Sequence, residues 1–149
     1  MILYLDTSAL LKLYVAEPES PLVGQALASA KLVCTHLIAY AEARAAFAKA
    51  QRNGRLEAAR LAPLVQEFER DWAEIDVLGV DEALVRRAGE LAERFALRGY
   101  DSVHLSAGET VMRLAGRAAE CRFAAFDARL NDAARKLGMP LLSTRVGAD

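Results

Sequence analysis

The chain has 149 residues, of which 54% are hydrophobic and 26% charged, with a formal net charge of −1. That length fits one domain, residues 1–149, able to bury a core of its own. The near-neutral balance excludes binding to nucleic acid through bulk basicity, and no apolar stretch approaches the roughly 20 residues a membrane helix needs. Residues 2–5 (Ile-Leu-Tyr-Leu) read as a short buried strand, entered without a basic leader, so no signal peptide and a cytoplasmic location are predicted. Asp6-Thr7-Ser8 forms a turn that caps a helix over 9–15, which Glu17-Pro18-Glu19-Ser20-Pro21 breaks. Ser20 as N-cap and Pro21 at the first helical position start a second helix, reaching about residue 30. Residues 32–35 make a second short strand. A long helix over about 37–52 follows, stopped by Asn53-Gly54. Further on, helices are predicted over 56–72, 82–97, 101–114 and 131–137, with strands at 75–78 and 122–126 and a last strand at 139–142.

Short apolar strands alternating with helices point to a parallel sheet sandwiched between helical layers, an α/β architecture. No repeat, linker or low-complexity segment interrupts it. Cys34 and Cys121 stand alone without CxxC spacing and read as free core thiols in a reducing compartment.

Four acids occupy settings that acids usually avoid. Asp6 and Asp127 end apolar runs, Glu42 lies within an Ala-rich helical segment, and Asp101 opens a helix. An ionised carboxylate loses its hydration when buried alone, so four such groups imply a shared partner, of which a divalent cation is the simplest. In open parallel α/β sheets, ligands bind beyond the carboxyl ends of the strands, where Asp6, Asp127 and the start of the Asp101 helix all belong. Glu42, about a turn and a half into its helix, could reach the same edge. Two carboxylates 4 Å apart repel by up to about 4 kcal/mol at an effective dielectric of 20, which bound cation offsets. All-oxygen ligands select Mg²⁺ or Mn²⁺ over Zn²⁺, and carboxylate-held Mg²⁺ most often handles phosphate esters. Of the 20 acids, the 16 outside this group face 19 Lys and Arg, so the rest of the surface is mildly basic, as a phosphate-rich substrate favours. Each acid also has a plain structural reading: Asp6, Asp101 and Asp127 as helix caps, Glu42 as a surface residue.

The residues resemble those of the PIN-domain ribonucleases, specifically the VapC toxins of prokaryotic toxin–antitoxin pairs. Leu3-Tyr-Leu-Asp6-Thr-Ser-Ala-Leu-Leu-Lys-Leu-Tyr14, with Glu17-Pro18-Glu19-Ser20, is similar to the family's first motif, and Ala39-Tyr-Ala-Glu42-Ala-Arg-Ala-Ala-Phe47 to its second. Tyr100-Asp101-Ser-Val-His104-Leu is similar to the third, and Phe126-Asp127-Ala-Arg-Leu130 with Ala133-Ala134 and Leu137-Gly138 to the fourth, which is the loosest. The resemblance implies a three-layer PIN-like fold with a parallel sheet of about five strands, and a Mg²⁺- or Mn²⁺-dependent endoribonuclease. It implies Asp6 and Asp101 as principal metal ligands, Asp127 completing the set directly or through water, and Glu42 acting through a metal water or a second ion. Ser8 would hold a metal water. Hydrolysis would leave a 5′-phosphate and a 3′-hydroxyl. RNA as substrate, a cognate antitoxin and a homodimeric assembly follow from the same resemblance.

His104, one turn after Asp101, reads as a packed or supporting histidine rather than a catalytic base. Asn131, one turn past Asp127, is either near the site or solvated, and Asp132 is a weaker substitute for Asp127. Leu61, Leu64, Val65, Phe68 and Trp72 form a helical apolar stripe, by default core and otherwise a groove for an antitoxin segment or a dimer face. Arg44, Lys49, Arg52 and Arg55 are candidates for RNA phosphate contacts or a solvated face. Three other function classes compete, among them a phosphoacceptor receiver domain, whose paired N-terminal acids and placed Lys this chain lacks. A PIN fold that only docks a partner would lack site acids, and these are present. A haloacid-dehalogenase-type phosphatase needs a second Asp two residues after the first, where this chain has Ser8.

Overall fold

The computed structural model describes residues 1–142; the expected domain limits of 1–149 therefore reach beyond the described residues. β1 (Ile2–Leu5), β2 (Leu32–His36), β3 (Asp76–Leu78) and β4 (Cys121–Ala124) form one sheet in the order β3-β2-β1-β4. Every pairing is parallel, with Tyr4 opposite both Cys34 and Phe123. Among the described residues the helices are α1 (Thr7–Leu11), α2 (Ser20–Ser29), α3 (Ile38–Arg52), α4 (Ala58–Trp72), α5 (Glu82–Phe95), α6 (Gly99–Ala115) and α7 (Ala128–Lys136). Among these, none is long and apolar enough to cross a membrane.

The period of two along β1 divides the core. Leu3 and Leu5 face a cluster with Ala9, Leu10, Val23, Phe47, Leu64 and Phe68, from α1 to α4. Tyr4 faces the opposite cluster with Leu84, Leu91, Leu105, Phe123 and Leu130, from α5, α6 and α7. A parallel sheet buried on both faces by helices is the three-layer arrangement expected from the strand–helix alternation. Four strands realise the expected sheet of about five. Residues 139–142 add only one bridge, Phe123 to Leu141, because Pro140 donates no ladder hydrogen bond.

Close packing fixes α6 over β4. A Cβ on Gly108 would stand 2.6 and 2.7 Å from the Phe123 ring and 3.0 Å from Met139, so only glycine fits there. Phe123 stacks on Tyr4 at 5.4 Å between centroids.

Several boundaries differ from the sequence reading. α1 stops at Leu11 rather than residue 15, and α7 begins at Ala128, three residues earlier than expected. α6 begins at Gly99, so Asp101 sits inside its first turn instead of opening it. α5 closes at Ala96, whose left-handed φ of 52° ends the helix before Arg98. The stripe on α4 is core: Leu64 and Phe68 are buried, and Leu61, Val65 and Trp72 pack against the same cluster. Both cysteines are free and buried.

Candidate active site

The strand order reverses direction across β1: the chain steps from β1 outward to β2 and β3, then returns to place β4 on the other side. Such a switch point opens a crevice at the carboxyl ends of the strands. Asp6 follows β1 directly, and Asp127 follows β4 after two intervening residues. Glu42 is on α3, which leaves β2 at the same edge. Asp101 comes to this edge with the first turn of α6.

Asp6 is buried, 3% exposed. Its Oδ1 accepts from Ala9 N at 2.8 Å, capping α1, and from Ser8 Oγ at 2.7 Å. Ser8 Oγ accepts in turn from Phe126 N at 2.8 Å, which ties the end of β1 to the segment carrying Asp127. Ser8 thus donates one hydrogen bond and accepts one, which leaves one acceptor lone pair on its hydroxyl. Burial pushes the Asp6 carboxyl up to about 6; the neighbouring His104 and the bonds from Ser8 and Ala9 pull it down, and Asp101 pushes it further up. Asp6 and Asp101 are therefore close enough to repel.

Glu42 is fixed by a buried polar chain. His104 Nε2 lies 2.8 Å from Glu42 Oε1, and Thr7 Oγ1 donates to the same oxygen at 2.7 Å while lying 3.0 Å from His104 Nε2. Tyr4 Oη is 2.9 Å from His104 Nδ1. Burial and the nearby Asp6 and Glu42 charges hold the Tyr4 phenol well above its ordinary value, so Tyr4 keeps its proton and donates to Nδ1. Nε2 then carries the hydrogen shared by Glu42 and Thr7, an assignment that follows from the donors and acceptors available. Burial opposes the charge on Glu42, but the bonds from His104 and Thr7 prevail and its carboxyl lies below the usual value. Both contacts fall on one carboxylate oxygen, and this network does not engage the second.

Asp101 Oδ2 accepts from Arg98 Nε at 2.8 Å. Arg98, Gly99, Tyr100, Asp101 and Glu42 line a cavity of about 270 Å³. Asp101 raises the Arg98 guanidinium above its ordinary value, with smaller contributions from Asp127 and Glu42. Asp127 Oδ1 accepts from Leu130 N at 2.8 Å and caps α7. The four expected acids thus share one edge of the sheet. Two of the plain readings are also correct, since Asp6 and Asp127 do cap helices.

These donors fit a hard divalent cation in kind. All are carboxylate oxygens, burial and repulsion disfavour the charge on Asp6, and a guanidinium already stands against Asp101 as a cationic partner. They do not form a closed cage: among the described residues, no three His, Cys, Asp or Glu side chains are grouped at metal-binding spacing.

The remaining candidates separate. Asn131 Nδ2 donates to Ala125 O at 2.8 Å and steadies the turn before α7, while its Oδ1 is buried without a hydrogen-bond partner among the described residues. Asp132 pairs with Lys136 at 2.8 Å on the exposed face of α7, which removes it as a substitute for Asp127. Arg44 pairs with Glu69 on α4, and Arg55 pairs with Glu17, so these two have structural partners; Lys49 and Arg52 are exposed. Three contributors were not singled out from sequence. Tyr4 looked like strand filling and Thr7 like part of a turn. Arg98 carried a legible signal, its i,i+3 spacing from Asp101.

Comparison with known proteins adds to this geometry. The PIN domain family model matches residues 3–136. Ribonuclease VapC45 of Mycobacterium tuberculosis is 34% identical over 110 residues, covering 74% of this chain and 76% of the relative. Among solved structures, Mycobacterium tuberculosis VapC20, described as a sarcin–ricin loop cleaving toxin, superposes with a TM-score of 0.59 at 21% identity, covering 88% of this chain and 94% of that one. A toxin–antitoxin complex from Klebsiella pneumoniae superposes with a TM-score of 0.58 at 14% identity, covering 83% and 85%.

Proposed function

The chain belongs to the PIN-domain family, and from that premise we propose that it is a divalent-cation-dependent endoribonuclease, the toxin of a toxin–antitoxin pair. One observation carries the reading. Four carboxylates delivered by separate parts of the chain lie along the switch-point edge, and the charge on the most buried, Asp6, is disfavoured by burial and by Asp101. A strained carboxylate beside further acids at a crevice favours a cation-assisted hydrolase over a plain binding module.

A bound Mg²⁺ or Mn²⁺ supplies Lewis acidity to the phosphoryl oxygen and makes water a stronger acid. Asp6 and Asp101 would hold it, with Asp127 joining directly or through water. Glu42, steadied at one oxygen by Thr7 and His104, has its other oxygen to orient water or a second cation. Ser8 keeps Asp6 in place, and Tyr4 keeps His104 in place. The substrate is RNA, in keeping with the ribonuclease named among the relatives. A cognate antitoxin, a homodimer and a cytoplasmic setting belong to the same reading; the toxin–antitoxin neighbour and the two unpaired cysteines support the first and the last.

Digestion of total RNA with mapped fragment ends tests the proposal. The wild-type chain should give 5′-phosphate and 3′-hydroxyl ends, and Asp101→Asn should give none. Ends carrying 2′,3′-cyclic phosphate, or equal cleavage by the variant, would refute it.

A further inference from the structure

Arg98 is a cation placed where the acidic edge needs one. It is the N-cap residue of α6, its Nε donates to Asp101 Oδ2 at 2.8 Å, and it shares a cavity with Glu42 and Tyr100. The two sides of the pair differ in environment: the Asp101 side chain is 18% exposed, that of Arg98 80%. The carboxylate is held at the crevice while the guanidinium stands in solvent, free to swing away. An ion pair with one partner this exposed is weak and readily exchanged. A divalent cation, carrying twice the charge, would compete for the Asp101 carboxylate. A guanidinium released at the mouth of such a crevice is suited to grip a phosphate with two parallel hydrogen bonds.

We propose that Arg98 is an exchangeable counter-ion: it and the divalent cation compete for Asp101, and the guanidinium displaced by the cation takes an RNA phosphate. This rests on the nuclease reading above and adds an order of events to it, cation first and substrate grip second. Arg98 is a substrate-positioning residue on this view, and its loss acts in opposite directions on the two ligands.

The test uses the full-length chain and needs no turnover. Mn²⁺ binding is followed by electron paramagnetic resonance, and binding of a labelled single-stranded RNA by anisotropy in Ca²⁺, for wild type, Arg98→Gln and Asp101→Asn. Arg98 is exposed, and thermal melting verifies that its variant is folded. Arg98→Gln should bind Mn²⁺ about threefold or more tightly, the scale of an exposed ion pair, and bind RNA about fivefold or more weakly, the scale of a lost charge-assisted contact. Unchanged or weakened Mn²⁺ binding, or unchanged RNA binding, overturns the exchange. Asp101→Asn separates the two levels of the argument: it should lose at least about tenfold in Mn²⁺ affinity. Retained affinity there would overturn the nuclease reading itself rather than the role of Arg98.

Discussion

The imidazole of His104 links Tyr4 to Glu42: Nδ1 lies 2.9 Å from the Tyr4 hydroxyl and Nε2 lies 2.8 Å from Glu42 Oε1. One buried ring thereby joins β1, α3 and α6 beneath the acidic edge. Its removal strands several polar groups at once. His104→Ala should lower stability by about 2–4 kcal/mol, combining a cavity with unpaired buried donors and acceptors. His104→Gln, whose amide can still donate toward Glu42, should lose less. Urea denaturation of both variants checks the order; His104→Ala as stable as wild type would show that the bonds contribute nothing.

Asp6 makes the fold pH-sensitive in a defined direction. Its folded value of about 6 lies above the ordinary carboxylate value. The unfolded chain ionises Asp6 more easily, so its contribution to stability is greatest below about pH 4 and is lost as pH rises through about 6. Asp6→Asn removes this penalty while its amide oxygen can still accept from Ala9 and Ser8. In chelator at pH 7.5 the variant should be more stable than wild type by about 1–3 kcal/mol, with the gain vanishing near pH 4. Its RNA cleavage should be absent. Urea midpoints at the two pH values measure the effect, and a variant less stable at pH 7.5 would make helix capping the dominant role of Asp6.

Gly108 sets the distance between α6 and β4, and so the position of Asp101 relative to Asp6. Gly108→Ala should destabilise by about 1–3 kcal/mol through overpacking against Phe123, despite alanine's better helix propensity. Adding Phe123→Leu should return part of the loss, since it withdraws the atoms the new methyl meets. Thermal melts of the single and double variants decide; a single variant as stable as wild type would mean that the ring moves aside freely.

The architecture was legible because its strands are short, mostly apolar segments of three to five residues, and because Asn53-Gly54 and Asp81 mark helix ends plainly. Asp6, Glu42, Asp101 and Asp127 were legible as acids out of keeping with their surroundings. What was hidden is tertiary. Arg98-Gly99-Tyr100 reads as a helix stop, yet Gly99 and Tyr100 start α6, because α5 has already closed at Ala96. Tyr4 and Thr7 gain their roles only when α6 brings His104 over β1, a contact spanning about a hundred positions that local pattern does not encode. Lys12 is a similar case: it is only 7% exposed, pairs with Glu17 and Glu19, and sits 4.6 Å from the Phe126 ring centroid. Nothing in its helical context announces a buried cation.

The most direct test is cleavage of a defined RNA after exhaustive dialysis against EDTA, followed by titration with Mg²⁺ or Mn²⁺. Cleavage should vanish in chelator and return with either ion for the wild-type chain, while Asp6→Asn and Asp101→Asn stay inactive at every concentration. Undiminished cleavage in EDTA by purified wild type would contradict a cation-assisted site at the carboxyl edge of this sheet.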